Sequence, residues 1–367
     1  MSILFTGATG FLGCRVLRRL LDEGNGAVIT ILGRADTLTL RQRVEAAVLA
    51  AEPDPPPAGS LGRLRYVEGD LTKPSLGLGR REIAAAADGL TSIWHCAGLL
   101  ALVGDPAPLF RTNILGTRGL LELADQAPQA HLFHTSTAYV AGRRSSGHIL
   151  EDDLSEEAGF QTYYEESKFN GERLVRRWAA HTGRSVTIMR PSLLVLDQVI
   201  PDGLPNQTLG ILARLIDVSL GADAQARPGG DGALRVRIRS NPEDSLNMLQ
   251  VDYAAHAMVR VAAHRPTGLR TVHVTHPQNT SMSVFLRAFE LAYPGLAVET
   301  VPALHAPIPA EVLAATQIAQ VSSFMTQSRT YGRANLLATV GDLPDPAPVD
   351  SAYLARGMRR AGSVVGV

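Results

Sequence analysis

Short apolar runs alternate with longer stretches of helical period through the first half of the chain. Ile3–Thr6, Ala27–Leu32, Leu64–Val67, Ser92–His95, His131–Thr135 and Val186–Met189 read as buried strands. Between them Leu12–Leu21, Leu38–Ala51, Ala107–Asp125 and Thr162–His181 carry the spacing of amphipathic helices. That alternation predicts an α/β fold, a Rossmann-type doubly wound parallel sheet covered on both faces. Glu52–Ser60, with four prolines, is an exposed connector. After Pro191 the rhythm breaks, and prolines and glycines are frequent through Asp231. A helix over Asp252–His264 is expected to pack back on the first unit, followed by a strand at Thr271–Val274 and a helix at Met282–Ala292. The expected division is a dinucleotide domain over 1–195, completed by about 248–275, and a smaller C-terminal substrate-binding region over 196–247 and 276–367.

The first strand ends in a run of three glycines, Gly7, Gly10 and Gly13, before an amphipathic helix. Such a loop is a device for holding a pyrophosphate: the helix presents free N–H groups and its positive dipole end to the phosphates. Gly7 permits the turn, Gly10 lets backbone approach phosphate, and Gly13 lets the helix lie close on the sheet.

Composition narrows the classes. The chain has 367 residues, 45% hydrophobic and 19% charged, with 35 basic against 35 acidic side chains. A neutral balance points to no nucleic-acid partner and no membrane surface. Apolar runs long enough to span a bilayer are missing, and the N-terminus reads as strand rather than signal peptide. Cys14 and Cys96 are the only cysteines, so a disulfide framework is not expected and a reducing cytoplasm is the default. No cysteine–histidine cluster has metal-ligand spacing.

Tyr164 and Lys168 stand four apart in a helical segment and project from one face. A neighbouring ammonium favours the ionised phenol, which otherwise titrates near pH 10, and makes it a usable acid or base. Tyr163 is a rival, but four residues beyond it lies Ser167, which offers no charge. Upstream, Thr135, Ser136 and Thr137 follow the fifth strand, where hydroxyls in open α/β sheets can meet a substrate carbonyl. The alternative for each hydroxyl is a turn cap.

The chain resembles the extended short-chain dehydrogenase/reductase family. The matching pieces are Thr6-Gly-Ala-Thr-Gly-Phe-Leu-Gly13, Gly69-Asp-Leu71, His95-Cys-Ala-Gly98, Asn113-Ile-Leu-Gly-Thr117, Thr135-Ser-Thr-Ala-Tyr-Val140, Tyr164-Glu-Glu-Ser-Lys168 and Arg190-Pro191. They occur in family order over the first 195 residues or so, and Val251-Asp252-Tyr253 extends the match. The resemblance implies that Gly7, Thr9, Gly10, Phe11, Leu12 and Gly13 form the phosphate loop. It puts Asp70 and Leu71 at the adenine and Cys96, Ala97, Gly98 and Thr135 along the cofactor. Thr137 becomes the hydroxyl partner, Tyr164 the proton donor and Lys168 the ribose-binding cation. Asn113 would support a proton relay, and Pro191 would lie near the nicotinamide. Alternatives stay open for Asn113, a helix-bend hydrogen bond, and for Asp70, a turn residue.

The second strand ends Leu32-Gly33-Arg34, where an NAD enzyme places an acid on the ribose. Gly33 leaves room, Arg34 offers a 2′-phosphate a bidentate cation, and Arg43 or Arg41 could add a second, which favours NADPH. Asp36 is a dissenting acid.

Within the family the chain is most similar to the branch of thioester reductase domains and fatty acyl-CoA reductases, the male-sterility-type NAD-binding proteins. The features are Leu32-Gly-Arg-Ala35, Gly69-Asp-Leu-Thr-Lys-Pro74 with Leu76-Gly-Leu78, and Ser136-Thr-Ala-Tyr-Val140. This implies reduction of an acyl thioester, held on coenzyme A or a separate carrier protein, to an aldehyde, with a second reduction to an alcohol left open. The sequence carries no adenylation or carrier domain, so a soluble or separately carried thioester is expected, by a monomer or homodimer. Asp244-Ser245-Leu246 resembles a carrier attachment triplet but lacks the preceding glycines. Competing readings are a ketone, aldehyde or sugar-nucleotide enzyme of the same fold and a non-catalytic NADP-sensing regulator. Arg235, Arg237 and Arg239 alternate with apolar residues and would form either a solvated sheet face or a receiver for coenzyme A phosphates. Arg143–Arg144 and Arg176–Arg177 read as solvated pairs, and His95 and His131 as core residues.

Overall fold

The computed structural model describes residues 1–358 apart from 25, 103, 199, 201–206, 208, 211–212, 214–233, 242, 308–310 and 313–325. Much of the proline- and glycine-rich stretch up to Asp231 therefore lies outside the described residues.

Seven parallel strands form the central sheet: β1 (Ser2–Thr6), β2 (Val28–Gly33), β3 (Leu64–Glu68), β4 (Leu90–His95), β5 (His131–Thr135), β6 (Val186–Pro191) and β7 (Leu269–Val274). Their order across the sheet is β7-β6-β5-β4-β1-β2-β3. Six of the seven match the early apolar runs to within two residues, and β7 starts two residues before its expected run. The chain order reverses between β1 and β4, and a crevice opens at the carboxyl ends of the strands there.

The helices are α1 (Gly13–Asp22), α2 (Thr37–Leu49), α3 (Arg80–Ala87), α4 (Gly116–Asp125), α5 (Tyr163–Thr182), α6 (Val251–Ala263), α7 (Met282–Ala292) and α8 (Ser351–Met358). Alternate strand residues feed two cores. Ile3, Phe5, Ile29, Ile31 and Phe133 pack with α1, α2 and α6 on one face. Leu4, Leu32 and Leu132 pack with α3, α4 and α5 on the other.

The helix expected over Ala107–Asp125 is present, with a π turn inside it. A short helical turn at Ala107–Leu109 runs into a π-helical turn at Phe110–Leu115 before α4 begins. The cause is Asn113: its amide exchanges two hydrogen bonds with the Leu99 backbone, at 2.8 and 3.0 Å. Such π turns gather at functional sites.

Beyond β6 the architecture changes. Leu193–Val195 pairs with Met248–Gln250, Leu234–Arg239 with Leu296–Val301, and Ser245–Leu246 with Thr280–Ser281. Val195, Leu246, Met248, Phe285 and Phe289 form a third core with Leu354 and Met358 of α8. Ser245 of the carrier-like triplet is therefore a strand residue, and Asn279 Nδ2 donates to its hydroxyl at 3.0 Å.

Candidate active site

The glycine loop is shaped by close approach. Gly7 has φ +81, and a Cβ there would lie 2.5 Å from the Ala97 nitrogen at the end of β4. A Cβ on Gly13 would overlap the Gly7 carbonyl. α1 begins with no side-chain cap; the N–H groups of Cys14 and Arg15 are bonded to the Gly10 and Leu12 carbonyls at 3.0 and 3.1 Å, and Phe11, Leu12 and Gly13 ahead of them line the crevice. A diphosphate fits that cradle: uncapped donors stand over a loop that admits no side chain.

Gly10, Phe11, Leu12 and Gly13 form one wall of a cavity of about 290 Å³. The opposite wall carries Thr135, Thr137, Tyr164, Lys168 and Pro191, with Cys96 and Gly98 between. Leu99, Leu100, Leu102, Tyr139, Leu193, Leu246 and Phe285 extend it toward the third core. Gly7, Thr9, Ala97, Asn113, Asp70, Leu71, Arg34 and Arg43 do not line this cavity.

Tyr163 and Tyr164 separate cleanly. Tyr163 is 57% exposed, whereas Tyr164 faces the cavity. Burial pushes the Tyr164 phenol up to about 12, against a hydrogen bond from Thr137. The expected depression by a neighbouring ammonium is not found. Lys168 instead donates to the Thr135 carbonyl at 2.6 Å. Burial lowers Lys168 to about 8, and the carboxylate of Glu172 pulls the other way. The arrangement holds a protonated phenol and a buried ammonium on one helical face.

The three hydroxyls after β5 have different duties. Thr135 Oγ1 donates to the Cys96 sulfur at 3.4 Å. Ser136, which also lines the cavity, donates its hydroxyl to Glu172 at 2.6 Å. Thr137 Oγ1 donates to the Pro191 carbonyl at 3.4 Å and accepts from Tyr139 N at 3.3 Å, and Thr137 lines the cavity with Tyr164.

Asn113 is spent on structure. Besides Leu99, its Nδ2 donates to Ser167 Oγ at 2.9 Å, and its carbonyl accepts from Thr117 Oγ1 at 2.8 Å. His95 links Thr6 and Thr117 at 2.8 and 3.1 Å, and burial lowers it to about 3. His131 bonds Thr187 at 2.8 Å. Both histidines are buried and neutral.

At the β2 end Arg34 and Arg43 are exposed neighbours, Arg43 Nη1 donating to the Arg34 carbonyl at 3.5 Å. Asp36 is consumed as the cap of α2, accepting from Thr39 N at 2.9 Å and Thr39 Oγ1 at 2.8 Å. Asp70 accepts from Thr72 N and Oγ1 at 2.9 and 2.8 Å, which is turn geometry. Burial would raise its carboxyl, but those bonds hold it below the usual range. Arg237 is engaged twice over by Glu311, at 2.8 and 2.7 Å, so the arginine stripe is not an open phosphate receiver at its centre.

Arg176 departs from expectation. It is not solvated but bonded to Glu172 and Thr271 at 2.8 and 2.7 Å. Sequence reasoning also passed over Glu172, although its position four residues after Lys168 puts it on the same face. Ser192 was missed as well; it lines the cavity with no partner for its hydroxyl.

A family model for an NAD-binding domain, described as Male sterility protein, matches residues 5–258. The chain belongs to that family. It is thereby an NAD(P)-dependent oxidoreductase of the extended short-chain dehydrogenase/reductase type. The large subunit of L-2-aminoadipate reductase from Penicillium chrysogenum is 30% identical over 306 residues, 79% of this chain and 20% of that protein. Carboxylic acid reductase of Mycobacterium tuberculosis is 27% identical over 301 residues, 77% of this chain and 25% of that protein. The chain thus spans about a fifth to a quarter of the length of these relatives. Among solved structures, the terminal R domain of the myxalamid PKS-NRPS pathway aligns with TM-score 0.73 at 22% identity, covering 97% of this chain and 89% of that one, and so shares the fold. Among the described residues no helix is long and apolar enough to cross a membrane.

Proposed function

We propose that the protein is an NADPH-dependent reductase of an acyl thioester, taken from coenzyme A or a separate carrier protein, releasing an aldehyde. The observation that carries this reading is that Thr137, Tyr164 and buried Lys168 line one cavity together with the glycine loop. When bound, the dinucleotide supplies hydride. Thr137 and Tyr164 hold the acyl carbonyl oxygen and stabilise the charge that builds on it. The phenol, protonated through the neutral range, gives its proton to that oxygen. Loss of the thiol from the resulting hemithioacetal leaves the aldehyde, which the same groups could protonate in a second reduction to the alcohol.

Lys168 binds the ribose and Asn113 supports the relay by fixing Leu99 and α5 around it. Gly7, Thr9, Gly10, Phe11, Leu12 and Gly13 take the diphosphate, Asp70 and Leu71 the adenine, and Cys96, Ala97, Gly98, Thr135 and Pro191 the nicotinamide side. Arg34 and Arg43 receive the 2′-phosphate, an assignment favoured by Asp36 being spent on its helix cap. Residues 1–195 with about 248–275 hold the cofactor, and 196–247 with 276–367 the acyl group. Two free cysteines suit a reducing cytoplasm. The relatives named as L-2-aminoadipate and carboxylic acid reductases support an acyl substrate.

The test is absorbance at 340 nm with NADPH or NADH against acyl-CoA, pantetheine esters, free aldehydes and nucleotide sugars. Oxidation of NADPH by the thioesters, with aldehyde identified by mass spectrometry, is expected. Turnover of a nucleotide sugar without thioester reduction would overturn the reading.

A further inference from the structure

Directly behind the cavity lies a group of buried charges that the proposed reaction does not touch. The Glu172 carboxylate is completely buried and accepts four hydrogen bonds. Arg190 Nη2 and Nε donate at 2.7 and 3.0 Å, Arg176 Nε at 2.8 Å and Ser136 Oγ at 2.6 Å. Arg190 in turn is fixed through Nη1 to the Glu151 carbonyl and to His273 Nε2, both at 3.2 Å. One carboxylate therefore ties together the three segments that carry the reacting groups. These are the turn after β5 with Thr137, helix α5 with Tyr164 and Lys168, and the end of β6, where Pro191 follows Arg190.

We propose that Glu172 is a positioning residue of this site, holding the Ser136–Thr137 turn, helix α5 and the end of β6 in register through its four hydrogen bonds. The proposal rests on the reading of Tyr164 and Lys168 as the working pair. Ser136 and Thr137 are adjacent, and the Ser136 N–H is itself fixed to the Met189 carbonyl at 2.7 Å, so the hook on Ser136 leaves Thr137 little freedom. The groups facing Lys168 are few. On α5 there is Glu172, at the end of β4 Cys96 and His95, and on β5 His134 with the Thr135 carbonyl. Burial keeps both histidines neutral and the Cys96 thiol protonated, pushed up to about 12. Among these, Glu172 is the one negative charge opposing the desolvation of the ammonium.

Lys168 is one of only two lysines in the chain, the other being exposed Lys73, against 33 arginines. Its titration can therefore be followed by NMR of lysine-labelled protein, with Lys73 as internal reference and no substrate present. Glu172→Gln removes a charge that favours the ammonium. Lys168 should then titrate about one unit lower, a tenfold change in its protonation equilibrium. The alkaline limb of the turnover profile should move to lower pH by the same amount. Ser136→Ala keeps the carboxylate, so the Lys168 titration should stay in place while kcat falls about tenfold at nearly constant KM, the mark of a misaligned donor. An unchanged Lys168 titration in folded Glu172→Gln overturns the electrostatic role. Native kcat in Ser136→Ala overturns the positioning role. Should Glu172→Gln not fold, Glu172→Asp tests the same point: native-like Lys168 titration with reduced kcat is expected, and native kcat overturns the proposal. Failure of the thioester reading would instead appear as no thioester turnover by the unaltered protein, with the NMR titration still readable.

Discussion

The two ends of the cavity are built on opposite plans. At the glycine-loop end the groups sit next to single strands of the sheet: Gly10 to Gly13 between β1 and α1, Thr137 just beyond β5. At the other end the walls come from segments far apart in sequence, such as Leu193–Val195 against Met248–Gln250 and Phe285 from α7. The first plan makes chemistry depend on local backbone geometry. The second makes selectivity depend on long-range packing, so the two can vary separately.

Substitutions can break this contrast, beginning with the largest effect. Tyr164→Phe keeps the helix and its packing but deletes the proton. Turnover should fall by about 10²–10⁴-fold with NADPH affinity almost unchanged, and substantial activity in stopped-flow assays would remove Tyr164 from the donor role. Gly7→Ala attacks local geometry: the positive φ alone costs about 1–2 kcal/mol, before the overlap with Ala97 is counted. A lower Tm and loss of the thermal stabilisation by NADPH are expected together; an unchanged NADPH-induced shift would show that the loop tolerates a side chain. Arg34→Ala should narrow the NADPH over NADH preference by about 1–3 kcal/mol, read from the ratio of kcat/KM values. Equal ratios in variant and native protein would reject Arg34 as the selector. The smallest effect on catalysis belongs to the segments beyond β6. Arg237→Ala strips buried Glu311 of its guanidinium, so Tm should fall while KM for an acyl-CoA stays the same. A raised KM would return the arginine stripe to the role of phosphate receiver.

The same contrast decides what the sequence discloses. β1 to β6 and the Tyr164–Lys168 spacing follow from periodicities of two and 3.6, and they are legible because each element is specified within its own residues. The π turn at Phe110–Leu115 is not, because the Leu99 backbone and Ser167, both distant along the chain, pull Asn113 out of regular helix. Arg176 and Glu172 look like ordinary polar helix residues until Arg190 from the neighbouring strand arrives to bury them. The spacing predicts a Tyr164 phenol acidified by Lys168, but burial, which spacing does not disclose, raises it, and the amine donates to the Thr135 carbonyl. Beyond β6 the alternation at Leu234–Arg239 marks its strand, whereas the two- and three-residue strands there are too short to show a period.

The contact of Gly7 with the Cys96–Ala97 peptide, and of Gly13 with Gly7, has an evolutionary consequence. The base of the crevice is made of main chain, and main chain looks alike whatever codon encodes it. Point changes there can only damage it; they offer no gradual route to a new ligand preference. A change of ligand preference is therefore expected from substitutions of the leucines and aromatics overhead, not of the platform beneath.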